Sequence, residues 1–289
     1  MATYISQKPP KTMPPAPTAD LVSRLLELRH TWGTNWIGLE TLARTCLDRL
    51  GIRADRVAGS ETKAIIRCFF SLAEQIEAQA IVQSQTSAEP AYHSRLHLGD
   101  VLLCMTELLL LSRPSRDDPN SKQHEHQECL GLLVALTHDY GHDGSINRSI
   151  GQLEKRSCEL LIPLLNESGI SEQDRLRVCQ LILLTEPSCI SKNHLNIKNK
   201  IFNINELECL CVLINEADIM ASVLPDTWPE RTAALAKEWQ SHSPQGASQL
   251  NTRAGRLTFL QKAALFSSPA SQALGLNEIK TKEISQLLS

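Results

Sequence analysis

The chain has 289 residues, 42% of them hydrophobic, and a formal net charge of −3 at pH 7. This length allows one large domain or two small ones with a sizeable core. The weakly acidic charge argues against a protein that coats nucleic acid polymers or an anionic membrane surface.

Nine cysteines are scattered along the chain without a C-x-x-C pair, and several lie in apolar stretches. Cysteines in such positions behave as small hydrophobic residues, which favours a reducing compartment. The first twenty residues lack the apolar segment of a secretory signal, and the most apolar stretch, 101–112, is too short to cross a bilayer. We therefore expect a soluble cytoplasmic protein that does not bind membranes.

Residues 1–17 are rich in proline and polar residues, which predicts a disordered N-terminal arm. From residue 18 to residue 289, apolar residues recur every three or four positions, as in amphipathic helices. Helices are predicted in chain order over 21–32, 37–50, 61–82, 95–112, 127–140, 149–167, 172–185, 205–223, 228–241, 253–266 and 277–288. Polar or proline-bearing loops are predicted over 112–127, 186–200 and 241–251. The sequence therefore predicts an all-α fold in a single multi-helix domain spanning 18–289.

Several helix ends carry recognisable signals. Gly51 is placed to end the second helix and Ser60 to cap the third. Ser171 with Asp174 resembles a capping box, and Asn205 with a glutamate three residues later is a weaker version of one.

The first candidate site is the stretch YHSRLHLGDV, residues 92–101. His93 and His97 are four residues apart, so that both face the same side of a helix. Considered alone, the stretch is equally consistent with a polar helix start whose histidines are solvated.

The second candidate site is HDYGHDGSIN, residues 138–147, at the end of an apolar run. His138 and Asp139 are adjacent, His142 follows, and Gly141 and Gly144 allow the backbone to bend. A helix C-terminal cap is the alternative, because a histidine there interacts favourably with the helix dipole. An aspartate at the same end opposes the dipole, which weakens that alternative.

The third candidate is Asp218 in LECLCVLINEADIMASVL, residues 207–224, where nearly all neighbours are apolar. A charge in such surroundings is costly unless it is paired or bound to a metal. An exposed stripe or a buried aspartate–arginine pair would also explain it.

Taken together, His97, His138, Asp139 and Asp218 offer two imidazoles and two carboxylates. This set suits a borderline divalent ion such as Zn²⁺, Mn²⁺ or Fe²⁺. A carboxylate such as Asp139 can also bridge to a second, harder ion, and two ions that share a water suit attack on phosphorus.

The order H…HD…D resembles the HD-domain metal phosphohydrolases, and the flanking residues resemble class I cyclic nucleotide phosphodiesterases. The first motif of that family, YHNxxHAxDV, matches YHSRLHLGDV except at Ser94 and Leu98, and its second, HDxxHxGxxN, matches HDYGHDGSIN at every fixed position. LILLTEP (181–187) and NEADIMAS (215–222) resemble two further segments of the family.

The resemblance implies a single HD-type helical bundle with two divalent metal ions. His97, His138, Asp139 and Asp218 would hold the tight ion, Zn²⁺ or else Fe²⁺ or Mn²⁺, and Asp139 would bridge to a second ion, Mg²⁺ or Mn²⁺. A hydroxide between the ions would attack the phosphorus, with His93 as general acid. His142 would orient the surrounding water.

The resemblance also implies a small-molecule substrate, a 3′,5′-cyclic nucleotide (cAMP, cGMP or both), hydrolysed to the 5′-monophosphate. Tyr92, Asn147, Gln261 and Phe266 are the candidate substrate-binding residues, and a homodimer is compatible with the sequence. Two other hypotheses stay open. One is another HD-domain phosphohydrolase, such as a nucleotidase, a dNTP hydrolase or a cyclic dinucleotide hydrolase. The other is a non-hydrolytic HD module, either an inactive binding protein or a di-iron oxygenase.

Overall fold

The computed structural model describes residues 17–57, 59–86, 89–113 and 121–289. Every regular element in these ranges is a helix, which confirms the predicted all-α fold. The helices are α1 (Pro17–Thr31), α2 (Leu39–Arg49), α3 (Ser60–Gln85), α4 (Arg95–Leu111), α5 (Ser121–Thr137), α6 (Gln152–Glu167), α7 (Glu172–Leu183), α8 (Pro187–Asn196), α9 (Leu207–Met220), α10 (Trp228–Trp239), α11 (Pro244–Leu250), α12 (Arg253–Lys262), α13 (Pro269–Ala273) and α14 (Leu276–Leu288).

All eleven predicted helices are present, with ends displaced by a few residues. The predicted N-terminal arm, residues 1–17, lies outside the described residues except for Pro17, which begins α1. None of the described helices combines the length and the apolar character that a bilayer crossing requires.

All three predicted loops were wrong in part. The stretch 112–127 includes the beginning of α5, from Ser121, while the stretch 186–200 contains α8 and the stretch 241–251 contains α11. The short helix α13 lies in a stretch for which no helix was predicted. The helices α8, α11 and α13 each begin with a proline, at Pro187, Pro244 and Pro269. Proline fits the first helical position because its fixed φ suits a helix and the missing N–H would have had no partner there.

Two of the predicted helix ends are confirmed. Gly51 has a φ of +67°, and the N–H of the next residue, Ile52, donates to the carbonyl of Leu47 across the end of α2. Ser171 caps α7, since its hydroxyl accepts a hydrogen bond of 3.2 Å from the N–H of Asp174.

The other two predicted caps were wrong. Gly59 occupies the cap position of α3, because the helix begins one residue early and includes Ser60 as its first residue. Glu206 occupies the cap position of α9. Asn205 instead belongs to a preceding turn, in which its N–H donates to the side chain of Asn203 at 3.0 Å.

Helix α4 runs through the middle of the fold and packs against α1, α2, α5, α9 and α13. Every residue from Leu96 to Leu109 is buried. A helix that is covered on all sides must compensate each of its polar groups. Asp100 accordingly forms a bidentate ion pair with Arg29 of α1, with both oxygen–nitrogen distances at 2.8 Å.

Helix α4 approaches α1 and α2 closely at Gly99. A Cβ atom at Gly99 would lie 2.8 Å from Leu28 Cδ2 and 3.1 Å from Leu42 Cδ2. Such contacts are much shorter than van der Waals separation, so glycine allows α4 to lie against both helices.

We expect Gly99→Ala to lower the free energy of unfolding. Alanine gains about 1 kcal/mol in helix propensity, but overpacking a close contact costs about 1–3 kcal/mol. The sum is a net loss of up to about 2 kcal/mol, measurable by urea denaturation. Leu28→Ala should relieve the clash, so the double variant should lose less than the sum of the two single losses. A stabilised Gly99→Ala variant would show that the three helices pack more loosely.

Candidate metal centre

The four candidate metal ligands meet where α4 begins and where α5 and α9 end. His97 lies in the first turn of α4, His138 and Asp139 directly follow α5, and Asp218 lies in the last turn of α9. Both α5 and α9 pack against α4, which brings these ends together. The negative ends of the α5 and α9 dipoles lie at the cluster and favour a cation there, whereas the positive end of the α4 dipole opposes it.

Two imidazole nitrogens and two carboxylate oxygens converge. Nε2 of His97 lies 3.4 Å from Oδ2 of Asp139 and 3.1 Å from Oδ1 of Asp218. Nε2 of His138 lies 3.0 Å and 3.5 Å from the same two oxygens. Ligand bonds of about 2.0–2.1 Å in a tetrahedron separate the ligand atoms by about 3.3 Å. The four nitrogen–oxygen distances are therefore compatible with a divalent-metal ligand set. The ligand atoms of His97, His138 and Asp139 all lie within 4.8 Å of one another, whereas Asp218 lies outside that group of three.

The two imidazole nitrogens also lack hydrogen-bond partners. Nε2 of His97 and Nε2 of His138 are both buried without a hydrogen bond, although the carboxylate oxygens are near. Nδ1 of His138 faces the backbone carbonyl of Ala135 at 3.1 Å. A carbonyl can only accept, so Nδ1 carries a proton, and Nε2 is the nitrogen that offers a lone pair when the ring is neutral. A metal ion at the centre of the cluster would satisfy both nitrogens.

The protonation of the four groups is strongly coupled. Burial lowers the pKa of His97 and His138, but the nearby carboxylates outweigh burial, so both pKa values lie above the ordinary histidine value. Burial likewise acts to raise the pKa of Asp139 and Asp218, but the histidines hold both well below the ordinary aspartate value. Protons and a metal cation therefore compete for the same centre.

His93 lies beside this cluster and is held by Glu238 of α10. Nε2 of His93 lies 4.0 Å from Oδ2 of Asp139, and Nδ1 lies 2.5 Å from Oε1 of Glu238. Oε2 of Glu238 accepts hydrogen bonds from the backbone N–H groups of Tyr92 and His93, at 2.8 and 3.1 Å. The buried glutamate thus fixes the ring orientation of His93, with Nε2 directed towards the metal ligands.

Sequence reasoning missed Glu238. An acidic residue within an ordinary amphipathic helix carries no local signal, and only the packing of α10 places it at the site.

His142 stacks on His93, with ring centroids 3.7 Å apart and an interplanar angle of 25°. Nδ1 of His142 accepts a hydrogen bond of 3.0 Å from the N–H of Gly144, whose φ is +80°. Burial and the charge of His93 lower the pKa of His142 to about 4, so this ring is neutral near pH 7. Gly141, at a φ of +74°, contributes the second bend that the sequence predicted.

His93, His142 and Glu238 form a second group whose ligand atoms lie within 4.8 Å of one another. However, two nearly parallel stacked rings cannot both direct an in-plane lone pair at one ion. The geometry therefore favours a hydrogen-bonded His93–Glu238 pair over a second all-protein metal site.

A cleft of about 310 Å³ opens over the cluster. This volume is at the lower end of the range for small-molecule sites. Its lining includes Tyr92, His93, His138, Asp139, His142, Asn147, Asp218 and Trp239. Asn147 mainly orders the start of α6, since its amide group bonds to both oxygens of Glu154 and to the N–H of Leu153. Trp239 is an aromatic lining residue that sequence reasoning missed.

The other two candidate substrate residues do not line the cleft. Gln261 is exposed on α12, and Phe266 is buried in the hydrophobic core. The backbone that follows Phe266 is fixed in place by hydrogen bonds. The N–H groups of Ser267 and Ser268 donate to the buried carboxylate of Glu216 at 2.6 and 2.8 Å.

No protein-family model, no curated protein and no solved structure matches this chain. Its function is therefore inferred from the motifs and from the geometry of the cluster.

We expect the purified protein to contain a divalent ion, and we expect EDTA to lower its Tm by an amount that grows from about pH 6 to about pH 8. The pKa values of His97 and His138 are raised in the folded state. Without a cation, their ion pairs with the aspartates are therefore complete below the ordinary histidine pKa of 6.5 and are lost as the pH rises through the folded-state pKa. The lowered aspartates lose these pairs only as the pH falls below their ordinary pKa of 3.8. The contribution of these four groups to the stability of the ion-free protein is therefore largest between these values, and a cation offsets the loss of that contribution above them.

Calorimetry with elemental analysis checks this expectation. Asp139→Ala should abolish both the bound ion and the EDTA effect. The matched control is Asp143→Ala, which removes a neighbouring aspartate that is half exposed and paired with Arg156 at 2.6 Å, and it should keep both. A metal-free protein with no response to EDTA would contradict the assignment of the centre.

Proposed function

We propose that this protein has an HD-type helical bundle and hydrolyses a small 3′,5′-cyclic nucleotide, cAMP, cGMP or both, to the 5′-monophosphate. The support is twofold: the motifs resemble class I cyclic nucleotide phosphodiesterases, and the residues of those motifs converge at one cleft. The cleft volume suits a mononucleotide better than a dinucleotide or a polymer.

The observation that carries the proposal is the position of His93. It is held by Glu238 at 2.5 Å and lies 4.0 Å from Asp139, beside the candidate metal ligands but outside their set. A metal-bound histidine also commonly has an acidic partner on its other nitrogen. The distinguishing feature of His93 is therefore its Nε2, which faces the cleft and lies 4.0 Å from Asp139 rather than among the ligand atoms. This arrangement is typical of a general acid or base.

The proposed metals are Zn²⁺, or else Fe²⁺ or Mn²⁺, on His97, His138, Asp139 and Asp218, and Mg²⁺ or Mn²⁺ at a second position beside Asp139. Bound there, two such ions would polarise the phosphate and lower the pKa of the attacking water.

The chain's own residues would then act as follows. A water oxygen bonds to phosphorus and releases a proton to solvent as the bond from phosphorus to the 3′ oxygen breaks. His93 donates its Nε2 proton to that leaving oxygen, while Glu238 stabilises the ring before transfer. The neutral His142 provides a polar wall against His93 and a nitrogen for ordering water. Tyr92 and Asn147 line the cleft where the nucleotide would lie.

A substrate panel tests the proposal. With Zn²⁺ and Mg²⁺ or Mn²⁺ present, the full chain should hydrolyse 3′,5′-cyclic nucleotides faster than 2′,3′-cyclic nucleotides, cyclic dinucleotides, nucleoside monophosphates or dNTPs. Asp139→Ala should abolish turnover, and the Asp143→Ala control should retain it. Preference for a monophosphate, a dNTP or a cyclic dinucleotide would favour another HD-domain phosphohydrolase. Inactivity on the whole panel with two bound irons would favour an oxygenase.

We expect His93→Ala to reduce turnover of the cyclic nucleotide by about 10²–10⁴-fold, the usual contribution of a general acid. Metal content and Tm should stay close to wild type, because His93 is not in the ligand set. The loss should be much smaller for a p-nitrophenyl phosphodiester, whose leaving group scarcely needs a proton. His30→Ala, at an exposed histidine of α1, serves as the control. Loss of metal in His93→Ala would make His93 a ligand, and an equal loss on both substrates would exclude the general acid role.

A further inference from the structure

A second, smaller cavity shares one wall with the cleft. It has a volume of about 60 Å³ and lies between α10, α12 and the segments that contain Tyr92 and Ser222. Tyr92 lines both this cavity and the cleft, while Arg231, Thr232 and Arg256 line the cavity alone. Its polar lining is rich in hydrogen-bond donors: two guanidinium groups and three hydroxyl groups.

Arg231 is the unusual member of this lining. It is only 2% exposed, and its Nε and Nη1 atoms are buried without a hydrogen bond. A guanidinium has five N–H donors and no acceptor, so burial without partners is costly. The ring of Tyr92, with its centroid 5.5 Å from the guanidinium carbon, gives Arg231 a cation–π contact but no strong acceptor.

The nearby carboxylates do not supply the missing acceptors. Oδ2 of Asp100 and Oε1 of Glu230 each lie 3.7 Å from a nitrogen of Arg231, beyond hydrogen-bond distance. Both carboxylates have a closer partner in Arg29, at 2.8 Å from Asp100 and 2.7 Å from Glu230. Glu230 is also half exposed, at 46% of its side-chain surface.

Arg256 lines the same cavity, and its guanidinium group, unlike that of Arg231, has hydrogen-bond acceptors. Glu283 accepts two hydrogen bonds of 2.7 Å from it, and the carbonyl of Ser222 accepts a third at 2.6 Å. The missing acceptors in the cavity are therefore those of Arg231.

We propose that this cavity binds a small tetrahedral oxyanion of the phosphate class, with Arg231 as its principal ligand. The planar fork of arginine matches two phosphate oxygens. The hydroxyl of Thr232 can donate to another oxygen, and so can one of the hydroxyls of Tyr92 and Ser222, which lie 3.2 Å apart and share one hydrogen bond. One water needs about 10–15 Å³ of such space, so the cavity holds a few waters or one tetrahedral anion. It is too small for a nucleoside. The site does not depend on the function proposed for the metal centre.

The test is the Tm of the full chain in inorganic phosphate, compared with sodium chloride at the same ionic strength. Because phosphate also binds metals, the key background is Asp139→Ala, in which the metal centre is removed. At about ten times the Kd, phosphate should raise the Tm by about 2–4 °C in wild type and in Asp139→Ala. Adding Arg231→Met to either background should abolish the rise, and Arg44→Met, at an exposed arginine, should leave it unchanged.

The stability of Arg231→Met relative to wild type, measured in chloride without phosphate, distinguishes an anion site from a structural ion pair. If Arg231 lacks hydrogen-bond partners, Arg231→Met should be at least as stable as wild type in chloride, because it removes a buried guanidinium that has no hydrogen bond and no carboxylate closer than 3.7 Å. If Arg231 instead serves Asp100 and Glu230, the variant should be less stable and should keep the phosphate response. That result, or no response in Asp139→Ala, would overturn the proposal and leave a cavity that holds water.

A second variant covers the case in which Arg231→Met does not fold. Arg231→Lys keeps the charge but loses the planar fork, so it should weaken the phosphate Kd by roughly tenfold or more in calorimetric titration. An unchanged Kd would exclude Arg231 as the principal ligand.

Discussion

The architecture of the site depends on two imidazole nitrogens that the protein buries but does not satisfy. Leaving one buried polar group unpaired costs about 1–3 kcal/mol. His97 and His138 each present such a nitrogen to the same two carboxylates, at distances between 3.0 and 3.5 Å. Without a bound ion, the free energy of folding would be less favourable because both nitrogens are buried beneath the cleft without a partner. Coordination to a cation removes the cost for both nitrogens together.

This constraint follows from the position of α4. A helix with no exposed face has to compensate its polar groups one by one, and each group finds a different solution. Asp100 and Glu107 are paired with arginines that reach inwards from α1 and α2, namely Arg29, Arg24 and Arg49. Within the described residues, Nε2 of His97 has neither an arginine nor a backbone group as a hydrogen-bond partner, because His97 lies where α5 and α9 end. The same helix thus explains why some polar residues of the motif region are structural and others face the cleft.

The helices and the four candidate ligands were predictable from sequence for a specific reason. Apolar periodicity reports which face of each helix is buried, and the ligand motifs are local: HD at one helix end, a histidine in a first turn, an aspartate in an apolar helix. The signals that failed were also local. Pro187 and Pro244 were interpreted as loop residues, although proline is equally suited to begin a helix.

What the sequence could not provide is the contribution of α10. Glu238 contacts Tyr92 and His93 only because α10 folds back over them. These contacts join residues about 145 positions apart, and no periodicity or motif predicts them. Gln261 has suitable chemistry for binding a substrate, but α12 places it in solvent.

Helix α10 also relates the two cavities. Arg231 and Glu238 are seven residues apart, which is nearly two full turns, so they lie on one face of the helix. Glu238 holds the backbone of Tyr92 and the ring of His93, and Arg231 lies against the ring of Tyr92. That ring lies 4.8 Å from the ring of the metal ligand candidate His97. An anion bound to Arg231 and a ligand bound in the cleft would therefore be connected through the contacts of Arg231 with Tyr92 and of Tyr92 with His97. If either one shifts Tyr92, thermodynamic linkage requires that each change the affinity for the other by the same factor.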